Sequence, residues 1–134
     1  MNKFEYYGLF VKQEEKERLK EIVNRVSTDS YKEFLDHLTL LHRKHCTSNI
    51  YFDGIIEYYE LLLGEDFPII INGIGISDKA IAFRVSYCPL YCANAIPHIT
   101  IGTFENGKPV DSNKITNWID ISPFVIHTTL GKKV

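Results

Sequence analysis

The apolar positions of this chain change period several times, and each change marks an element. "KFEYYGLFV" (residues 3–11) is aromatic and β-branched, which predicts a strand. Residues 13–26 switch to a helical period: Leu19, Ile22, Val23 and Val26 fall at i, i+3, i+4 and i+7. Glu14, Glu15 and Glu17 sit in the first turns of that helix, where its dipole favours negative charge. Residues 27–33 read as a connector. "FLDHLTLLH" (34–42) predicts the next strand and "RKHCTSN" (43–49) a polar loop. A second helix is expected over 53–64, with Asp53 as N-cap and Gly64 as the stop. Residues 67–77 and 79–87 predict a hairpin turning at Ser77-Asp78, and 95–104 a further strand followed by an Asn106-Gly107 turn. A short capped helix is expected over 111–119, and a last strand over 123–130 closing a sheet edge. The order β-α-β-α-β-β-β-α-β has no sustained βαβ alternation. It predicts an α+β fold with mainly antiparallel sheet and helices packed outside. No linker or low-complexity tract divides residues 1–134, so one domain is expected.

Two strands carry an anomaly. His37 and Thr39 in "DHLTLLH", and His98 and Thr100 in "PHITIGT", are polar pairs at a spacing of two inside apolar runs. Residues i and i+2 of a strand share a face. Each strand thus offers an imidazole and a hydroxyl on one surface, while Leu38, Leu40, Ile99 and Ile101 point to the other. One such pair is weak evidence, because histidine and threonine are ordinary strand residues. Two copies, each in apolar alternation, favour function over coincidence. If the strands are neighbours, four groups converge in a set suited to phosphoester chemistry without a metal or other cofactor. One neutral imidazole takes a proton from the attacking oxygen, and one imidazolium gives a proton to the leaving oxygen. The hydroxyls donate to nonbridging phosphate oxygens.

His42 and His45 extend His37 into an H-x4-H-x2-H string that invites a zinc reading. Strand parity argues against it, since His42 and Asp36 are expected to face away from His37. Arg43 keeps the parity of His37 and is a candidate phosphate contact, with a solvated loop charge as the equal alternative. RNA ends are commonly read by stacking on aromatic rings. Tyr6, Tyr7, Phe10, Tyr87, Tyr91 and Trp118 are available; Tyr7 and Trp118 are the candidates for base contact, against the general tendency of strand aromatics to be core.

Charge changes the picture only by exclusion. Fifteen basic and seventeen acidic side chains give a net charge of −2, which argues against a strongly basic nucleic-acid coat but leaves room for a small site that reads one nucleotide. The N-terminal stretch does not read as a secretory signal, and no apolar run is long enough to span a bilayer. Cys46, Cys88 and Cys92 match no common zinc or disulfide spacing and are expected to be reduced thiols. The expected location is the cytoplasm, with the nucleus compatible.

The strings "HLTL" and "HITI" match the paired H-x-T/S-hydrophobic signature of the 2H phosphoesterase superfamily. "DHLTLLHRKH", "IPHITIGTFENGKPVDSN" and the opening "FEYYGLFV" resemble the corresponding segments of the cyclic phosphodiesterase domain of fungal-type tRNA ligases. The resemblance implies a bilobal α+β fold, two mainly antiparallel sheets forming a central cleft with helices outside. It implies hydrolysis of a 2′,3′-cyclic phosphate at an RNA end, leaving a 2′-phosphate. His37 and His98 would be the acid–base pair, and Thr39 and Thr100 the phosphate ligands. No nucleotide-binding loop of the kind used by the ligase and kinase domains is present; "NGIGIS" lacks the spacing. The chain is therefore either free-standing or one domain of something longer. Substrates of other superfamily members, 2′-5′ oligoadenylates and cyclic dinucleotides, stay open, as does a non-catalytic RNA-end binding module.

Overall fold

The computed structural model describes residues 4–26, 30–46 and 50–134. Residues 27–29 and 47–49, read above as parts of connectors, and Lys3 at the start of the first expected strand lie outside the described residues. The elements in chain order are β1 (Tyr6–Val11), α1 (Gln13–Val26), β2 (Lys32–Glu33), β3 (His37–His42), α2 (Ile50–Leu62), β4 (Asp66–Ile76), β5 (Ala80–Tyr87), β6 (His98–Thr103) and β7 (Trp118–Lys133). Short 3-10 segments occupy Arg43–His45 and Pro109–Lys114.

The strands form one antiparallel sheet in the order β2-β6-β3-β1-β7-β4-β5. Its ends meet: β5 pairs with β6 from Ala80↔Thr103 to Arg84↔His98. Six strands thereby close into a barrel, with the short β2 continuing the line of β3 along β6. The fold is α+β as expected. Instead of two separate sheets, however, there is one sheet closed on itself, because β7 is far longer than its apolar core suggested. Residues Ile126, Thr128 and Leu130 are buried, as the alternation of "PFVIHTTL" requires. The strand also starts earlier, at Trp118, where it pairs with Gly75 of β4. It lies between β1 and β4 and is an interior strand, not an edge. The helix expected over 111–119 is consequently only the turn Pro109–Lys114, held by the Lys108 N–H donating to the Asp111 carboxylate at 2.8 Å.

One sheet face carries the main core. Leu9, Leu38, Leu40, Ile99, Ile101, Ile126 and Leu130 pack there with Leu19 and Val23 of α1 and Tyr59 of α2. The α1 stripe thus does what its period predicts. Glu15, in its first turn, accepts the His127 N–H at 2.6 Å and pins the helix to β7. Helix α2 begins earlier than expected, so Asp53 is a first-turn carboxylate inside the helix, favourable to the dipole, and not the N-cap. Gly64 does end that helix region with φ +87, a left-handed conformation that glycine adopts without Cβ strain.

Candidate active site

Strands β3 and β6 are neighbours, paired antiparallel at Leu38↔Ile99. Extending that register by one residue each way sets His37 across from Thr100 and Thr39 across from His98. The leucine and isoleucine side chains between them are fully buried in the core. Alternation then delivers all four polar groups to the opposite face, where they line a cleft of about 500 Å³.

The two histidines are held differently. The Nδ1–H of His98 donates to the Ile96 carbonyl at 2.8 Å, which fixes the ring and leaves Nε2 for chemistry. Burial lowers the His98 pKa, and the carbonyl partly opposes that shift. His37 sits over Gly8 with Tyr6 stacked on it, ring centroids 4.5 Å apart, and Phe10 at 5.3 Å. Its Nε2 lies 3.1 Å from Thr39 Oγ1, while its buried Nδ1 has no hydrogen-bond partner among the described residues. Burial pushes His37 down to about 4; Asp36 resists, and His98 and Lys133 add to the depression. The threonines differ as well. Thr100 Oγ1 is 2.9 Å from Ser112 Oγ, presented by the 3-10 turn Pro109–Lys114, whereas Thr39 has the His37 ring.

A bulge rearranges the end of β3. The β1 register runs Tyr6↔His42, Tyr7↔Leu41, then Gly8↔Thr39. Leu40 is therefore an extra residue, and both Leu40 and Leu41 are buried. Parity reverses beyond it. His42 comes to the cleft with His37, contrary to the simple alternation, and Arg43 lies exposed in the following turn, outside the cleft lining. Lys44 and Lys133 supply the cations at that end instead. Asp36 also reaches the cleft, because Leu35 just before it turns the backbone at φ 50. Among the described residues, no three His, Cys, Asp or Glu side chains gather in a group able to hold a metal ion. Cys46, Cys88 and Cys92 are free thiols.

Tyr7 does not serve as a base contact. It is 0% exposed, on the core face, with its hydroxyl donating to Glu60 at 2.6 Å. Its neighbour Tyr6 holds the cleft position, as the two-residue period of "YYGLF" required once the face was known. Trp118 borders a side pocket of about 120 Å³ next to His98 and Ser112. Its ring covers Gly75 and packs with Ile115 over Ala80 and Ala82, and its Nε1 is buried without a partner. Two further residues brace the site. Ser112 carried no sequence signal, since its contact with Thr100 depends on the turn folding over β6. Arg84, opposite His98, donates to Asn72 Oδ1 at 2.9 Å and pairs with Asp120.

The family model described as the fungal tRNA ligase phosphodiesterase domain matches residues 3–123, which include both His-x-Thr strands. The chain belongs to that family. This phosphodiesterase-family chain also shares its fold with a solved structure titled as a fungal RNA kinase, at TM-score 0.73 and 14% identity. The alignment covers 99% of the phosphodiesterase-family chain and 46% of the kinase chain, so the chain spans less than half the length of that structure. No curated protein matches the sequence.

Proposed function

We propose that the protein is a metal-independent 2′,3′-cyclic phosphodiesterase that opens the cyclic phosphate at an RNA end to a 2′-phosphate. The observation that carries this reading is the convergence of His37, Thr39, His98 and Thr100 on one face of two adjacent antiparallel strands, at the floor of a cleft. Membership of a phosphodiesterase-domain family supports the reaction class. Water attacks phosphorus and the 3′ oxygen leaves. His37, held neutral by its buried ring slot, takes the water proton; His98 returns a proton to the leaving oxygen. The hydrogen bond from His98 Nδ1 to a carbonyl favours the charged ring and so suits the acid. Thr39 and Thr100 donate to the nonbridging oxygens, where negative charge builds. Lys133 and Lys44 attract the anionic end.

The test is a short RNA ending in a 2′,3′-cyclic phosphate, incubated with the protein in EDTA, with the 2′- and 3′-phosphate products resolved. Conversion to the 2′-phosphate, lost in both His37→Ala and His98→Ala, is the expected result. A metal requirement, or full activity in either variant, overturns the mechanism. Failure of folded wild-type protein to convert this substrate overturns the substrate assignment and turns attention to 2′-5′ oligoadenylates and cyclic dinucleotides.

A further inference from the structure

At one end of the cleft the rings of Tyr6, His37 and His42 lie nearly parallel, with Phe10 behind them. Tyr6 and Phe10 lie 6.2 Å apart with planes at 22°, and His37 is seated against both. Tyr6 also faces the imidazole of His42, its cross-strand partner, at 6.5 Å and 15°. A planar ring inserted between two others needs about twice the carbon–carbon contact distance of about 3.5 Å. The 6.5 Å Tyr6–His42 centroid separation falls slightly short of that, so the two rings must part a little to admit a base, and both line the cleft.

The His42 ring is set in place by its own turn. Its Nδ1 accepts the Lys44 N–H at 3.0 Å, and its backbone N–H donates to His45 Nδ1 at 2.9 Å. Burial, then Lys44, lower its pKa, which keeps the ring neutral and cheap to cover. Lys44 and Lys133 flank the same end, with Glu5 3.9 Å from Lys133 and only a loose counter-charge. Pro109, Val110, Asn94 and Asn113 also line the cleft, beside a turn whose Lys114 is 3.9 Å from Asp111.

We propose that Tyr6 and His42 form a nucleobase clamp. It takes the base of the nucleotide that carries the terminal phosphate, and Lys44 and Lys133 meet the phosphate on the 5′ side of that nucleotide. This rests on the RNA-end reading above and deepens it. The clamp gives affinity for a nucleotide end of any sequence, because every base has a face to stack. It also sets the direction of the strand, which leaves the cleft past the two lysines.

The experiment uses a short RNA with 2-aminopurine as its 3′-terminal base and a 2′-phosphate end, which is not turned over. Stacking in the clamp quenches its fluorescence on binding to the wild-type protein. His42→Asn keeps a hydrogen-bond acceptor for the Lys44 N–H but removes the ring; His42→Phe keeps a ring and removes the acceptor. The expected result is affinity weakened about tenfold in His42→Asn and held within about threefold of wild type in His42→Phe. Unchanged affinity in His42→Asn, equal loss in both variants, or no quenching with wild-type protein overturns the clamp. Hydrolysis of the matching cyclic-phosphate RNA is followed separately. Absence of hydrolysis with ring-dependent quenching intact rejects the catalytic reading and leaves the clamp standing.

Discussion

The two His-x-Thr strands have nearly the same sequence and opposite surroundings. On β6, His98 is tied to the Ile96 carbonyl and Thr100 to Ser112, so both side chains are oriented by partners outside the motif. On β3, His37 is oriented by packing: Gly8 beside it, Tyr6 and Phe10 around it, and its own Thr39 as hydrogen-bond partner. A hydrogen bond to a carbonyl stabilises a charged imidazole, while a dry aromatic slot destabilises one. Two copies of one motif thus become chemically unequal through their neighbours. That inequality is what an acid–base pair needs, since the same reaction requires one ring with its proton and one without.

Removing each ring should have the largest effect. His37→Ala and His98→Ala are each expected to lower kcat by roughly 10²- to 10⁴-fold, measured on a cyclic-phosphate RNA end. Equal and small losses would show that neither ring transfers a proton. The next test acts on packing alone. A Cβ at Gly8 would stand 3.0 Å from the Leu38 carbonyl and 3.3 Å from His37 Cδ2. Gly8→Ala is therefore expected to shift the His37 ring, costing about 1–3 kcal/mol in stability by urea unfolding and about tenfold or more in kcat. An unchanged kcat would mean that the slot does not position His37.

The two histidines should also show in the pH profile. The free protein should follow a bell in kcat/KM, with macroscopic limbs set by the pair. With the proposed roles, the acid limb is expected near 4, where His37 is protonated, and the alkaline limb below the ordinary histidine value, because His98 is also depressed. Tyr6→Leu opens the slot to water and should move the acid limb upward. The same depression has a stability consequence. Between about 6.5, where His37 titrates unfolded, and about 4, the unfolded chain binds more protons than the folded one, so stability falls as pH falls through that window. His37→Phe should flatten this dependence in unfolding curves, and an unflattened curve would assign it elsewhere. The smallest expected effect belongs to β6: Ser112→Ala frees one hydroxyl contact worth about 1 kcal/mol, and should raise KM or lower kcat by about fivefold without moving either limb.

Much of this molecule was legible along the chain because its signals are local. The helical period of Leu19, Ile22, Val23 and Val26 and the positive-φ stop at Gly64 depend on near neighbours only, and both stand where expected. So do the alternations that put His37 with Thr39 and His98 with Thr100. Parity failed where the backbone departs from a plain strand. The bulge at Leu40 reversed the faces of His42 and Arg43, and the turn at Leu35 brought Asp36 into the cleft. The sequence offers Tyr7 for the cleft where the structure has Tyr6, because adjacent aromatics in a strand cannot be assigned to faces until the core side is known. Local alternation was enough to put His37 with Thr39 and His98 with Thr100 on one face of their strands. That β3 lies beside β6, that β7 and the β5–β6 pairing close the sheet, and that Ser112, Ile96 and Tyr6 make the two histidines unequal came only from the three-dimensional fold. The reason is range: alternation is a property of successive residues, whereas register, closure and desolvation arise from segments far apart in the chain.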